Sequence, residues 1–278
     1  MAFRAALLGY SNSGKTYSKS FIKEGEKCVV IRPSSKFSMI TTSKGEPLKE
    51  MKVTFKSSKS PTGEVTISSY GEDNKSFLNQ ISIFVKAKLK GDETPPMKFE
   101  GNIITCEDVN KLAIAQKFVS LFMPNINKIM LNDFTHWISY IITTNTFKNS
   151  KGYERFWDLA ADSLSNAILV SDKLRSDIIV YSEYHISKDD PESLDINVPM
   201  GNMLKDKFMP LTYYDCTMVT FVLPYGDYKE EDRHKFIVVK KGEFPGRGMG
   251  LFNDIAVDGM IPNNLQIVDE RLRKRMGV

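Results

Sequence analysis

The sequence predicts an α/β fold, a mostly parallel sheet with helices on both faces, built around a glycine-rich loop close to its N-terminus. Three observations carry that expectation. Short apolar runs alternate along the chain with longer stretches of helical period. The first run, Phe3 to Leu8, leads directly into Gly9-Tyr10-Ser11-Asn12-Ser13-Gly14-Lys15-Thr16, and a helical stretch follows. The chain has 278 residues, 41% hydrophobic and 26% charged, which suffices for a full core and excludes disordered, collagen-like and disulfide-scaffold classes.

The elements follow in order. Phe3 to Leu8 reads as a buried strand and Tyr17 to Ile22 as the helix after the loop. Lys27 to Ile31 is a second strand, ending in Arg32-Pro33-Ser34. From Ser34 to Tyr70 the texture turns polar. Met51–Ser58 and Glu64–Tyr70 alternate like two strands joined around Pro61-Thr62-Gly63, an exposed hairpin inserted into the main domain. Its lysines (Lys44, Lys49, Lys52, Lys56, Lys59) read as a solvated face before they read as a nucleic-acid contact. Asp73 to Leu89 is helical, Gly91 to Gly101 loop, and Asp108 to Phe122 helical. Lys128 to Leu131 is a third strand ending in Asn132-Asp133, and a short helix from Trp137 to Ile142 precedes the polar loop Thr143 to Gly152. Tyr153 to Leu174 is the clearest helix. Its Phe156, Trp157, Ala160, Leu164 and Ile168 share one face and belong to a core. Asp177 to Tyr181 is a fourth strand running into Ser182-Glu183-Tyr184-His185. Cys216–Leu223 and Lys235–Lys240 are further strands, and Leu265 to Met276 is a closing helix. The whole of 1–278 reads as one domain, with an insertion at about 36–101.

The loop from Gly9 to Thr16 matches G-x-x-x-x-G-K-[ST] in full. Gly9 and Gly14 let the backbone curl until successive N–H groups face one point at a helix start. Lys15 sets a positive charge near the β- and γ-phosphates, and the Thr16 hydroxyl is positioned for Mg²⁺. Gly9, Ser11, Asn12, Ser13, Gly14, Lys15, Thr16 and Tyr17 are therefore the expected residues for a nucleoside triphosphate.

Other classes are disfavoured. A formal charge of +4 is too small to diagnose nucleic-acid binding and allows only a local basic groove. Cys28, Cys106 and Cys216 are odd in number and far apart, which argues against a disulfide framework or zinc site and for a reducing compartment. His136, His185 and His234 lack metal-ligand spacing. No apolar run is long enough for a membrane span, and the N-terminus lacks a signal-peptide pattern, so a cytoplasmic protein without membrane attachment is expected.

The phosphate loop, the KIMLND strand end, the KGYERFWDLAADSLSNAILVSDKLR helix, IIVYSEYHIS, GNMLKDKFMPLTYYD and the tail MGLFNDIAVDGMIPNNLQIVDERLRK occur in an order that resembles the phage-encoded P-loop ATPases of the RecA-like type. That family includes single-strand-annealing and recombination ATPases and phage ATP-binding proteins. The resemblance spans the chain outside roughly Lys36 to Gly101. It implies a RecA-like core, ATP and Mg²⁺ as ligands, and homo-oligomeric rings or filaments.

Further site assignments follow from the resemblance. Such enzymes need a carboxylate at the end of an apolar strand for Mg²⁺. The family commonly has two acidic residues there, whereas this chain has Asn132-Asp133, and either can face the metal. Asp133 is the candidate, as metal ligand with Thr16 or as the group orienting water. The catalytic glutamate often found at the end of the second strand has no counterpart at Arg32-Pro33-Ser34, so Glu183 or Asp133 would polarise water, or turnover is slow. His185 falls where the family places a γ-phosphate sensor. Arg247, in the glycine-rich stretch after Lys240-Lys241, is the candidate finger acting on a neighbouring subunit; a solvated surface arginine is the competing reading. Loops after the third and fourth strand regions usually approach DNA, which points to Lys148 and Lys151, while Asp189, Asp190, Glu192 and Asp195 in the second loop would repel it. The expectation is an ATP-binding and ATP-hydrolysing DNA-metabolism protein acting on single-stranded DNA. The alternative is a nucleotide-dependent assembly protein with little hydrolysis and no DNA contact. A small-molecule kinase is a third class, unsupported by any lid-like arginine cluster.

Overall fold

A computed structural model describes residues 1–10, 13–33, 40–58, 60–143, 153–186, 210–223, 226, 229–241, 244–248 and 250–278. In chain order the elements are β1 (Phe3–Gly9), α1 (Lys15–Lys19), β2 (Cys28–Arg32), β3 (Lys52–Lys56), β4 (Glu64–Ser68), α2 (Asn74–Lys90), β5 (Met97–Glu100), β6 (Ile103–Thr105) and α3 (Val109–Phe122). Then come β7 (Lys128–Leu131), α4 (Phe134–Thr143), α5 (Tyr153–Leu169), β8 (Ile179–His185), β9 (Cys216–Val222), α6 (Glu230–Arg233), β10 (His234–Ile237), β11 (Lys240–Lys241), β12 (Phe244–Pro245), β13 (Met260–Pro262) and α7 (Leu265–Met276).

The main sheet has eight strands in the order β13-β10-β9-β1-β8-β7-β2-β6. The pairs from β9 through β6 are all parallel, and β10 and β13 add an antiparallel edge. The parallel strands are covered on both faces, so they read as apolar runs rather than as alternation; Ala5, Ala6, Leu7 and Leu8 of β1 have no exposed surface. Helices α2 to α5 pack on one face through Phe77, Leu112, Trp137 and Leu164. Ile22, just past α1, and Leu265, Val268 and Leu272 of α7 pack on the other. The expected α/β architecture with a mostly parallel sheet is present.

Several expected elements change. The helix after the loop is one short turn and a half, not Tyr17 to Ile22. Ser18 Oγ donates to Lys15 O and Ser20 Oγ to Tyr17 O, both at 2.7 Å, so hydroxyls compete with the helical ladder. The stretch Gly91 to Gly101 contains strand β5, which begins directly after Pro95-Pro96, where the chain regains a donor at each residue. Strand β6, only three residues long, gives too little alternation to be visible in sequence. β3 and β4 pair antiparallel, Phe55 opposite Val65, and β5 joins them to make a second sheet in the order β4-β3-β5. It is exposed on one face only: Val53, Phe55 and Ile67 are buried in the main core, with Phe55 edge-on to Phe84 of α2 at 5.0 Å. On its outer side Lys56 lies opposite Glu64 and Lys52 opposite Glu100, the pattern of a solvated, charge-balanced surface. The fourth strand extends four residues further than expected, through His185.

Candidate nucleotide-binding site

β1 ends at Gly9, on the central strand of the sheet, and the phosphate loop leaves its C-terminal edge. Gly14 adopts φ 94°, a left-handed conformation that glycine takes without cost. A Cβ there would come 2.6 Å from Asn263 Nδ2 and 2.9 Å from His234 Nδ1. A Cβ on Gly9 would collide with the hydroxyls of Thr220 and Ser13. Both glycines are thus required by close approach as well as by the turn. Ser13 Oγ donates to Tyr10 O at 2.8 Å and also meets the Thr220 hydroxyl, which donates to Leu8 O at 3.1 Å. Lys15 is only 4% exposed, and its Nζ donates to Gly9 O (2.6 Å) and Tyr10 O (2.7 Å), folded over the loop. The Thr16 side chain is exposed, and Tyr17 is 37% exposed. Ser11 and Asn12 lie outside the described residues.

Parallel pairing brings the strand ends to this loop. His185 is the register partner of Gly9. Its N–H donates to Thr135 Oγ1 at 2.8 Å, and its Nε2 lies 3.7 Å from Asp133 Oδ1. Asp133 turns the chain with φ 65°, and its carbonyl accepts the His136 N–H at 3.0 Å. Asn132 continues the strand, its N–H donating to Ile31 O at 2.9 Å. Its side chain is committed elsewhere: Lys19 Nζ donates to Asn132 Oδ1 at 2.6 Å and to Glu183 Oε2 at 2.7 Å. This Lys19–Glu183 pair is almost wholly buried, with side chains 2% and 6% exposed.

The expected site residues therefore separate into groups. Gly9, Ser13, Gly14, Lys15, Thr16 and Tyr17 form one cradle, with Asp133 and His185 at its side. Glu183 lies in the body of β8, opposite Leu7 rather than at the strand end, and holds Lys19. Arg247 is exposed, and its backbone pairs with Thr217 through bonds of 2.8 and 3.0 Å. That pins it three residues short of the Thr220 level, roughly 10 Å back along the strand from the loop. Lys148 and Lys151 lie outside the described residues, as do Asp189, Asp190, Glu192 and Asp195.

Sequence reasoning missed three groups. Lys19 lies four residues after Lys15, hence on the same helical face, and Glu183 is a lone charge in an apolar strand; together they signal a buried pair. His234 and Asn263 meet at Gly14 only because β10 pairs with β13, which no local pattern reveals. Glu50 supplies a carboxylate beside the end of β2, ion-paired with Arg32 and accepting from Ser69 Oγ at 3.1 Å.

The three cysteines are free and buried, and burial pushes the thiols of Cys28 and Cys216 up to about 12. Among the described residues there is no metal-binding cluster of histidine, cysteine and carboxylates, and no helix is long and apolar enough to cross a membrane.

No family model matches the chain, and no curated protein matches it. Among solved structures, it is similar to one described as a DnaB-like replicative helicase and its interactions with primase, at 13% identity and a TM-score of 0.39. The match covers 88% of this chain and 54% of that one, so the chain spans about half the length of the structure it matches.

Proposed function

We propose that the chain binds ATP through the loop from Gly9 to Thr16 and hydrolyses it slowly with Mg²⁺, as one RecA-like domain in which 36–101 is an elaboration. One observation carries the reading. The complete G-x-x-x-x-G-K-[ST] loop stands on the C-terminal edge of the central parallel strand, with Asp133 and His185 delivered beside it by neighbouring strands. Such an edge is where open α/β sheets hold their ligands. Lys15 is presented to the inside of the loop, where it holds carbonyl oxygens that phosphate oxygens would replace.

The residues fit a hard cation. Thr16 offers an exposed hydroxyl and Asp133 a carboxylate, both oxygen donors of the kind Mg²⁺ takes. When bound, Mg²⁺ would supply charge neutralisation across the β- and γ-phosphates. Asn132 is engaged by Lys19 and adds no negative charge, so this arm of the site is weak.

Asp133 with His185 is the pair we assign to orienting water. Glu183 is the other candidate, but its carboxylate is held by the Lys19 ammonium at 2.7 Å in a buried pair, which suits an anchor better than a base. Slow turnover follows from that weak arm and from the Arg32–Glu50 pair at the end of β2, where the carboxylate is already neutralised.

Action on single-stranded DNA through Lys148 and Lys151, assembly into a ring or filament, and Arg247 as a finger reaching a neighbouring subunit belong to the same proposal. Arg247's exposed position away from its own loop is compatible with action between subunits and unsuited to action within one. The test is phosphate release from ATP with Mg²⁺, with and without single-stranded DNA. Slow turnover that DNA stimulates supports the proposal; binding without turnover or stimulation favours the nucleotide-dependent assembly protein. Absence of ATP binding rejects both.

A further inference from the structure

Three residues border the phosphate loop on the side of the antiparallel strands. Tyr17 follows Thr16 directly yet keeps 37% of its surface exposed. Its ring packs on His234, centroids 5.2 Å apart and planes 35° apart, and edge-on to Phe21 at 5.1 Å. His234 opens β10 and Asn263 follows β13. Their strands pair antiparallel, and the Asn263 N–H donates to His234 O at 3.2 Å. Asn263 is 3% exposed and uses Nδ2 to reach Gly14 O at 3.3 Å.

Two polar atoms of this cluster are buried with no hydrogen-bond partner among the described residues: Asn263 Oδ1 and His234 Nδ1. Leaving such an atom unpaired carries the full cost of its lost hydration. A residue needed only to tether Gly14 has no use for the second half of its amide. Asn263 and His234 both approach Gly14, and each keeps one such unpaired atom beside the loop, which points to a ligand.

We propose that Tyr17, His234 and Asn263 form a nucleobase subsite that takes a 6-amino purine. The inference rests on the phosphate-loop reading above. A triphosphate held by the N–H groups of the loop runs out of cradle at Tyr17, and the exposed ring is the next surface its base meets. Stacking on an aromatic ring is favourable for every base and so tolerates any of them. Selectivity comes from the polar edge. Asn263 Oδ1 accepts from an exocyclic amino group, and His234, in the tautomer protonated at Nδ1, donates to the adjacent ring nitrogen. A 6-oxo purine sets a carbonyl against Oδ1, acceptor against acceptor, and leaves both buried atoms unpaired, which a polar site rejects strongly.

The experiment is competition against a fluorescent ATP analogue by ATP, GTP and inorganic tripolyphosphate, on the full chain and on Tyr17→Leu, His234→Ala and Asn263→Ala, each checked by thermal melting. Wild type is expected to prefer ATP to GTP at least about tenfold. Tyr17→Leu, an exposed position, is expected to weaken ATP and GTP together by about tenfold and leave tripolyphosphate unchanged. His234→Ala and Asn263→Ala are expected to bring ATP and GTP to parity with tripolyphosphate binding retained. Equal binding of ATP and GTP by wild type, or selectivity surviving the His234 and Asn263 changes, overturns the subsite while leaving the phosphate loop intact. So does a loss of tripolyphosphate affinity in Asn263→Ala that matches its loss of ATP affinity, because that marks a loop tether alone. If wild type binds none of the three, the phosphate-loop reading itself has failed.

Discussion

Two buried charge clusters lie on the same face of the sheet, one at the first residue of β7 and one at the residue that follows it, each taking one residue from the body of β8, and they are built in opposite ways. Where the strands begin, Asp269 of α7 receives Lys128 Nζ at 3.3 Å, Arg273 Nε at 2.9 Å and the Tyr181 hydroxyl at 3.1 Å. Burial and the neighbouring Asp269 push the Tyr181 phenol up, so it stays a donor. Arg273 also donates to the carbonyls of Asn127 (3.0 Å) and Asp177 (3.2 Å), sewing strand starts to the helix. Beyond the end of β7 and two residues further along β8, one cation, Lys19, faces one carboxylate and one neutral amide. The first cluster closes on a twelve-residue helix. The second closes on a helix of five residues that carries the phosphate loop. The first, lower cluster ties the strand starts to the long closing helix, and the second, upper cluster ties β7 and β8 to the short helix after the glycine-rich loop.

The largest effect should come from the lower cluster. Asp269→Ala strands two cations and a phenol, and a loss of about 3–5 kcal/mol is expected in chemical denaturation. Lys19→Met should cost slightly less, about 3 kcal/mol, because it strands one carboxylate, Glu183, and one neutral amide, Asn132. Combining it with Glu183→Gln should return stability to within about 1 kcal/mol of wild type, since a pair removed together leaves no buried charge. A Lys19→Met variant as stable as wild type would break the comparison.

At the strand end the effects move from stability to turnover. Asp133→Asn is expected to slow ATP hydrolysis by about 10²-fold with little change in melting temperature, and Asn132→Ala by less. The reverse order in single-turnover rates would mean that Asn132 is the residue facing the reaction. The smallest signal is expected from the thiols. With Cys28 and Cys216 buried and near 12, a thiol reagent at pH 8 meets almost no thiolate in the native protein. Labelling should appear only on unfolding, and earlier in Asp269→Ala, whose cluster includes the Lys128 that faces Cys28.

What could be read in the sequence follows the range of the forces involved. The phosphate loop is a local requirement, eight consecutive residues whose backbone must curl, so the motif alone locates it. Strands such as Cys28–Arg32 and Lys128–Leu131 are legible because burial on both faces demands unbroken apolar runs. Ile103–Thr105 is too short to differ from a loop, and Met97–Glu100 was hidden behind two prolines. The pairing of Lys19 with Glu183 spans 164 positions and that of Asn263 with Gly14 spans 249, so only the completed sheet reveals them. The Asn132/Asp133 ambiguity was of the same kind. Residue types were visible, but the partner that occupies Asn132 comes from another element.

The most direct test of the central claim is a calorimetric titration of ATP with Mg²⁺ into the wild-type chain and into Lys15→Ala, with melting curves confirming that both are folded. Lys15 Nζ donates to two carbonyls of its own loop, and the melting curves separate loss of binding from loss of fold. A charge-assisted contact to phosphate is worth about 1.5–3 kcal/mol, roughly 10- to 150-fold in affinity. The account predicts saturable one-site binding by wild type and a loss of at least that size in the variant. Equal affinity in both proteins would contradict it.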